Sequence, residues 1–401
     1  MNFKNLSAKF CWGTILFILT LMIGIFFIKV FNKRVDFPCF YLAGERFLQG
    51  QPLYFISDEW PYKYLPSAAF FFSPLAWFQY SHALLLFYLL SFFSMLASYG
   101  LIFKIWYDKL PAYFTERHLS LTTIATFCLM IKFHSYDFAN LQVNHFLIFF
   151  LLLTAYFSLA KKSFWASCFL ALAGIFKIIP IFLSFHFLVK KNWKLFLTSF
   201  SVFFLLLLIP FLRGNFLQTG LQDYLSYRQL MTYYHGLFDH NSIYQSLPAT
   251  IGRLQNHFQF SEKLNLPLLV LALIPFVFIY FAMIFKSGGK KNAQHFFIEW
   301  SMALLFYPLV NPVGWKHGFV FILPAVFIVC DRNLFLTQFK IWHKKTWTFE
   351  SLSFLIFIIL ILVPGMIGLG KLKDHLSLTV LALLPLSLSL LSLHKSILPH
   401  E

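Results

Sequence analysis

Long apolar stretches separated by short polar or basic connectors run the length of the chain. Continuous apolar runs cover residues 11–31, 82–103, 119–133, 145–160, 164–189, 195–212, 266–285, 295–310, 318–330, 349–368 and 376–394. Most approach the ~20 residues a helix needs to cross a bilayer. They lack the ~10-residue alternation that marks strands of an outer-membrane barrel. The pattern predicts an all-α polytopic transmembrane helical bundle. Lys4 and Lys9 precede the first run, yet it is long and no A-x-A cleavage site follows, so it is expected to stay as an anchor.

Basic residues orient the runs, because Lys and Arg gather in cytoplasmic connectors. With a cytoplasmic N-terminus, Lys104, Lys109 and Arg117 fall inside, as do Lys161 and Lys162. A single span over 164–189 would then put Lys190, Lys191 and Lys194 outside. That run carries Gly174, Lys177 and Pro180 near its middle. It can therefore enter the membrane, break and return, since irregular backbone is tolerated where it lines a buried or wet cavity. With this hairpin, Lys286, Lys290 and Lys291, then Arg332 through Lys345, then Lys395 all fall inside. The expected topology is about ten spans plus one re-entrant hairpin, with both termini cytoplasmic. Two long outer loops, 32–81 and 213–265, and short ones at 134–144, 311–317 and 369–375 complete it. No internal repeat or low-complexity linker divides the chain, so residues 1–401 are expected to form a single integral membrane domain.

Composition agrees with this picture and narrows it. The 401 residues are 59% hydrophobic and 12% charged, about half the charged fraction usual for a soluble protein. The 56 phenylalanines are spread along the whole chain. A soluble enzyme on one anchor, a disordered tail and a disulfide scaffold are all excluded. The formal charge of +17 belongs to cytoplasmic connectors facing anionic membrane lipids. No basic stripe interleaves with exposed aromatics, so no nucleic-acid partner is expected. Cys11, Cys39, Cys128, Cys168 and Cys330 form no zinc spacing and read as small core residues. No metal site and no cofactor are expected.

Polar residues then cluster on the outer side. Asp36 stands just before a stretch, 37–49, whose Phe37, Phe40, Tyr41, Phe47 and Leu48 recur at helical spacing, with Glu45, Arg46 and Gln49 opposite. This predicts an amphipathic surface helix stopped by Gly50. Asp36 has two open readings, helix N-cap or general base. The following segment, interrupted by Pro66 and Pro74, is expected to lie at or dip into the interface. Asp137, Asn140, Gln142 and Asn144 crowd the short outer turn, where ordinary loop polarity and a binding role are both open readings. Lys177 is costlier: a mid-membrane lysine costs roughly 2.5–3.5 kcal/mol on insertion scales, so it calls for a wet cavity or an anionic partner. Around 235–253 lie His235, Asp239, His240, Asn241, Ser242, Gln245, Ser246 and Arg253, without metal-ligand spacing. Residues 311–318 place Trp315, Lys316 and His317 at the outer interface, where an aromatic belt with a snorkelling lysine is the alternative to a binding role.

A carboxylate, a lysine, a histidine and several amides on one side suit transfer from an anionic lipid donor. A base would take the acceptor proton while cations hold the leaving phosphate. No nucleophile elbow, Walker or Rossmann glycine loop competes with this reading. A lipid or anion transporter using Lys177 as a substrate site is the alternative from a different class.

These clusters, in their order, resemble glycosyltransferase family 87 of the GT-C class. The match runs through Asp36-Phe37, Tyr41, Ala43-Gly44, Gly50 and Leu53-Tyr54, then Tyr62, Tyr64 and Pro66. It continues through Leu141-Gln142-Val143-Asn144, where leucine replaces the family's glycine, and through Lys177 to Pro180. Asn241, Ser242 and Arg253 follow, then Asn311-Pro312 and Trp315-Lys316-His317. The resemblance implies a multi-pass enzyme of the cell inner or plasma membrane with an extracytoplasmic active site. It further implies transfer of a hexose, mannose in most of the family, from a polyprenyl-phosphate sugar to a lipid or glycan acceptor, the lipid-linked sugar being a co-substrate. By position, Asp36 would be the general base of an inverting displacement. Lys177 and His317 would bind the donor phosphate. Gln142, Asn144, Tyr62, Tyr64, Asn241, Arg253 and Trp315 would line the sugar pocket.

Overall fold

The computed structural model describes residues 20, 23–24, 28, 30, 36–107, 116–213, 216–234, 244–286, 293–312, 314–338, 349–366 and 378–397. Most of the first expected span, 11–31, lies outside them. The described chain is helical, without a strand. In chain order the helices are α1 Phe37–Gln49, α2 Pro66–Phe72, α3 Tyr80–Trp106, α4 Glu116–Asn140, α5 Asn144–Leu159, α6 Ser163–Phe176, α7 Ser184–Val189 and α8 Trp193–Leu207. There follow α9 Phe216–Tyr234, α10 Leu247–Phe258, α11 Asn265–Lys286, α12 Ala293–Val310, α13 Leu323–Gln338, α14 Phe349–Met366, α15 Leu378–Leu381 and α16 Leu383–Ile397. Among the described residues, four segments are long and apolar enough to cross a bilayer: Tyr80–Trp106, Trp193–Leu212, Glu262–Phe285 and Lys316–Leu334. Shorter apolar helices accompany them, and the chain is a multi-pass membrane protein.

Three expectations are corrected. The outer turn predicted over 134–144 shrinks to 141–143, because α4 continues to Asn140 before α5 starts at Asn144. On α1 the buried face is Phe37, Cys39, Phe40, Ala43 and Gly44, while Leu48 is exposed. The cause is close packing at Gly44: a Cβ there would lie 2.5 Å from the Phe72 carbonyl oxygen, so only glycine lets α1 approach α2 this closely. Cys128 is exposed and not a core residue.

Proline sets several boundaries. Pro66, Pro74, Pro180 and Pro210 each stand in the first two positions of a helix or 3-10 turn, where the missing N–H costs nothing.

The chain divides into two compact units. One comprises residues 25–101 and 135–236. Its core is aromatic: Phe40 stacks on Phe72 at 4.7 Å, and Phe72 meets Phe176 edge-on at 5.4 Å. Helices α6 and α8 lie side by side in parallel register. Ser167 Oγ donates to Leu195 O at 3.3 Å, and Ser199 Oγ donates to Ser167 Oγ at 3.3 Å. Farther along both helices, a Cβ on Gly174 would be 3.2 Å from the Phe203 ring and 3.0 Å from Ile181. The segment between them, 177–192, therefore brings the chain back to the level where α6 began. The break falls at Lys177, which is extended at φ −146°, ψ 129°. Helix α9 is pinned to the 3-10 turn Ile209–Leu212 by Phe211, whose ring occupies the space over Gly220, and by the buried Arg213–Asp223 ion pair at 2.8 Å.

The other unit comprises residues 1–24, 102–134 and 237–401. Its centre is α12 together with the 3-10 turn Lys316–Ile322 and α13. These are largely buried, and their burial takes in the polar side chains of His295, Glu299 and His317. Tyr307 stacks on Phe321 at 3.9 Å. At one end, Asp331 accepts from Trp106 Nε1 at 2.9 Å and from the Tyr107 hydroxyl, and lies 2.8 Å from His118 Nε2.

Candidate active site

The site begins with the way α4 ends. Its last residues form a Schellman stop: the Gln142 N–H donates to Asp137 O at 3.1 Å and the Leu141 N–H to Phe138 O at 3.2 Å. Leu141 takes the left-handed conformation this stop requires, with φ +48°. Glycine is the residue suited to it, and the resemblance expects glycine here. The leucine side chain is buried, and that burial offsets the backbone strain. The stop turns Gln142 and Asn144 back toward the unit's core.

Asp36 meets this turn from α1. Its N–H donates to Asn140 O at 3.1 Å, satisfying one of the carbonyls left open at the end of α4. The Asp36 side chain makes no capping bond to α1, and its backbone is at φ −76°, ψ −3°. The cap reading of Asp36 is thereby set aside, because its carboxylate is engaged elsewhere. It accepts a hydrogen bond from the Gln142 side-chain amide. The other end of that amide, Oε1, accepts from the Tyr64 hydroxyl at 3.1 Å. Tyr64 is held by the edge of Phe40 at 5.1 Å and by its own carbonyl, which accepts from Tyr54 at 2.7 Å. Burial raises the Asp36 carboxyl above its ordinary range, while the Gln142 hydrogen bond and the charges of Lys63 and Lys177 pull it back down.

A second chain of contacts starts at Lys177. Its Nζ donates to Asn144 Oδ1 at 2.8 Å, and Asn144 Nδ2 donates to Asp137 Oδ1 at 2.6 Å. His145 Nδ1 lies 2.7 Å from Asp137 Oδ2 and 3.2 Å from Ser91 Oγ. The His145 ring stacks on Phe138 at 4.3 Å. Asp137, Asn144 and His145 are fully buried. Lys177 thus reaches the site from the helix break, where the extended backbone frees its side chain from the α6 face.

The structure brings together five of the residues singled out in the sequence: Asp36, Tyr64, Gln142, Asn144 and Lys177. Tyr62 is nearby but buried, with its hydroxyl donating to Leu65 O at 3.2 Å, so it shapes the loop that presents Tyr64. Trp315, His317 and Arg253 belong to the other unit. There Trp315 and His317 stack at 5.8 Å, and Tyr244 meets Trp315 edge-on at 5.9 Å. Arg253 is buried on α10 and donates to Tyr244 O at 2.9 Å. The Gln245 N–H donates to Gly314 O at 2.6 Å, and a Cβ on Gly314 would sit 2.8 Å from Ser246 Cβ, so the two segments touch through glycine. Asn241 lies outside the described residues, as do His235, Asp239, His240 and Ser242.

Sequence reasoning placed Asp137 in a loop and passed over His145. Asp137 reads as loop polarity only if the loop is long. One helical turn more, and it becomes an acid inside an apolar helix, which by itself calls for a partner.

Residues 62–312 match the model of glycosyltransferase family 87. That span takes in Tyr62, Tyr64, Gln142, Asn144, Lys177 and Arg253, with Asp36, Trp315 and His317 outside it. The chain is also similar to the polyprenol-phosphate-mannose-dependent alpha-(1-2)-phosphatidylinositol mannoside mannosyltransferase of Mycobacterium tuberculosis. The two are 23% identical over 322 residues, covering 74% of this chain and 70% of the relative. No solved structure matches the chain.

Proposed function

The chain belongs to glycosyltransferase family 87, whose model matches more than half of it, and from that premise we propose that it moves mannose from a polyprenyl-phosphate donor to a lipid or glycan acceptor, with inversion at the anomeric carbon. The observation that carries this reading is the Asp36 carboxylate. It is excused from capping α1, held by Gln142, and feels the charge of Lys177 within the same unit. The donor class is supported by the mannosyltransferase relative.

In the reaction so proposed, Asp36 accepts the proton of the acceptor hydroxyl as its oxygen bonds to the anomeric carbon. The bond from that carbon to the phosphate oxygen breaks, and the electron pair leaves with the polyprenyl phosphate. Lys177, positioned by Asn144, stabilises the charge that develops on the phosphate. Gln142 orients the base, and Tyr64 orients Gln142. The lipid-linked sugar is the co-substrate and no cofactor takes part in this scheme.

The proposal includes a topology of about ten spans in one integral domain, with residues 164–189 re-entrant and Asp36 on the extracytoplasmic face of the inner or plasma membrane. The parallel register of α6 and α8 supports the hairpin, and the basic connectors support the sidedness.

The test is transfer of radiolabelled mannose from polyprenyl-phosphate mannose to a lipid acceptor extract, by purified protein in nanodiscs. Wild type is expected to form product, and Asp36→Asn to lose about 10²–10⁴-fold in rate with an unchanged melting temperature. An Asn variant as active as wild type would remove Asp36 from the mechanism. Failure of wild type to bind the donor at all would remove the donor class.

A further inference from the structure

Two lysine turns of the first-described unit share both a conformation and an end of the helix bundle. After α5 the chain turns at Lys161, with φ +59°, and the Lys162 N–H donates to Phe157 O at 2.8 Å. After α7 it turns at Lys191, with φ +57°, and the Asn192 N–H donates to Phe187 O at 2.8 Å. Both are the same helix stop, and both put lysine where left-handed backbone favours glycine.

The parallel packing of α6 on α8 puts these turns at one level. Ser167, one turn into α6, bonds Leu195 and Ser199 at the start of α8. Lys161 and Lys162 therefore stand beside Lys190, Lys191 and Lys194. Four of the five are exposed, with Lys190 half-buried. Exposed aromatics flank them: Phe164 at 59%, Trp165 at 53% and Trp193 at 58%. No acidic residue occurs between Asp137 and Asp223 in the sequence.

We propose that this end of the unit is a docking surface for anionic phospholipid headgroups. Aromatic rings settle at the headgroup level while lysine ammonium groups reach the phosphates above them. Cationic side chains near an anionic leaflet each gain attraction, and five on one platform add up. The surface also fixes the segment between the turns as a return loop, since both turns must face one leaflet. This inference stands on the helix register and the turns, independently of the reaction.

Two measurements on the full chain test it. Lys162→Cys and Lys191→Cys, made singly in a chain with its native cysteines replaced by serine, are exposed to a membrane-impermeant maleimide in sealed vesicles of each orientation. Both positions are expected to react from the same side; reaction from opposite sides overturns the proposal. In the second, purified protein is offered equimolar phosphatidylglycerol and phosphatidylcholine, and bound lipid is counted by native mass spectrometry. Changing all five lysines to glutamine is expected to cut the preference for phosphatidylglycerol by at least about fivefold. Changing all five to arginine keeps it, and so does Lys263→Gln, which neutralises an exposed lysine elsewhere. A glutamine variant with the wild-type preference overturns the proposal, and the arginine variant shows whether loss reflects charge or folding.

Discussion

Asp36 and Gln142 stand 106 positions apart in the chain and meet through a hydrogen bond from the glutamine amide to the aspartate carboxylate. Burial raises the proton affinity of that carboxylate and the amide bond lowers it. A base must be deprotonated to act, so transfer should fail as pH falls through a value above the ordinary carboxylate range. Gln142→Leu removes a stabiliser of the charged form, which should move this acidic limb to still higher pH. A rate–pH profile of the two proteins checks the direction; a limb that stays in place would separate Gln142 from the base.

Tyr64 acts on the same carboxylate one step removed, since its hydroxyl fixes which end of the Gln142 amide faces Asp36. Tyr64→Phe should cost about 0.5–1.5 kcal/mol of orientation, seen as a rate reduced about 2–12-fold with donor KM little changed. Because both residues act through one bond, the Tyr64→Phe and Gln142→Leu losses should combine to less than their sum. Single and double variants measured together provide the check.

Asp137 has its carboxylate shared between Asn144 and His145 in a fully buried setting. Asp137→Ala leaves the buried Asn144 amide without its acceptor and empties the space beside His145, and stranding a buried polar group costs about 1–3 kcal/mol. A melting curve in detergent should show a marked drop. His145→Gln, which keeps a donor in reach, should drop less.

Gly44 lies against the backbone of Phe72, with 2.5 Å available where a Cβ would go. Gly44→Ala should destabilise by about 1–3 kcal/mol, the usual cost of overpacking. It should also slow transfer, because α1 carries Asp36 at its N-terminal end. Thermal unfolding and transfer rate should therefore fall together. A variant that lost only stability would uncouple the packing of α1 from the placement of Asp36.

Much of this architecture could be read from the chain, because apolar runs and prolines act locally. The helix 37–49 and its stop at Gly50 came directly from spacing, and the interruption of 164–189 at Lys177 from a charge and a proline in an apolar run. The candidate base could be singled out, but its cap reading stayed open until the carboxylate was seen turned toward Gln142. Asp137 and His145 were illegible for a different reason. Their meaning depends on whether α4 ends at residue 133 or at Asn140, and only the Schellman geometry at Leu141 decides that. Helix ends are set by a few hydrogen bonds among backbone groups, which hydrophobic periodicity does not report.

The bond from the Asp36 N–H to Asn140 O has a mechanical consequence. It hangs Asp36, the proposed base, from the last carbonyl of α4, so the length of that helix serves as a ruler for the site. Adding one residue within the last turns of α4 would advance its end by about 1.5 Å and rotate it by about 100°. The carbonyl would swing away from Asp36 and the amide of Gln142 would leave with it. Single-residue insertions there should therefore silence the protein even where every side chain of the site is intact.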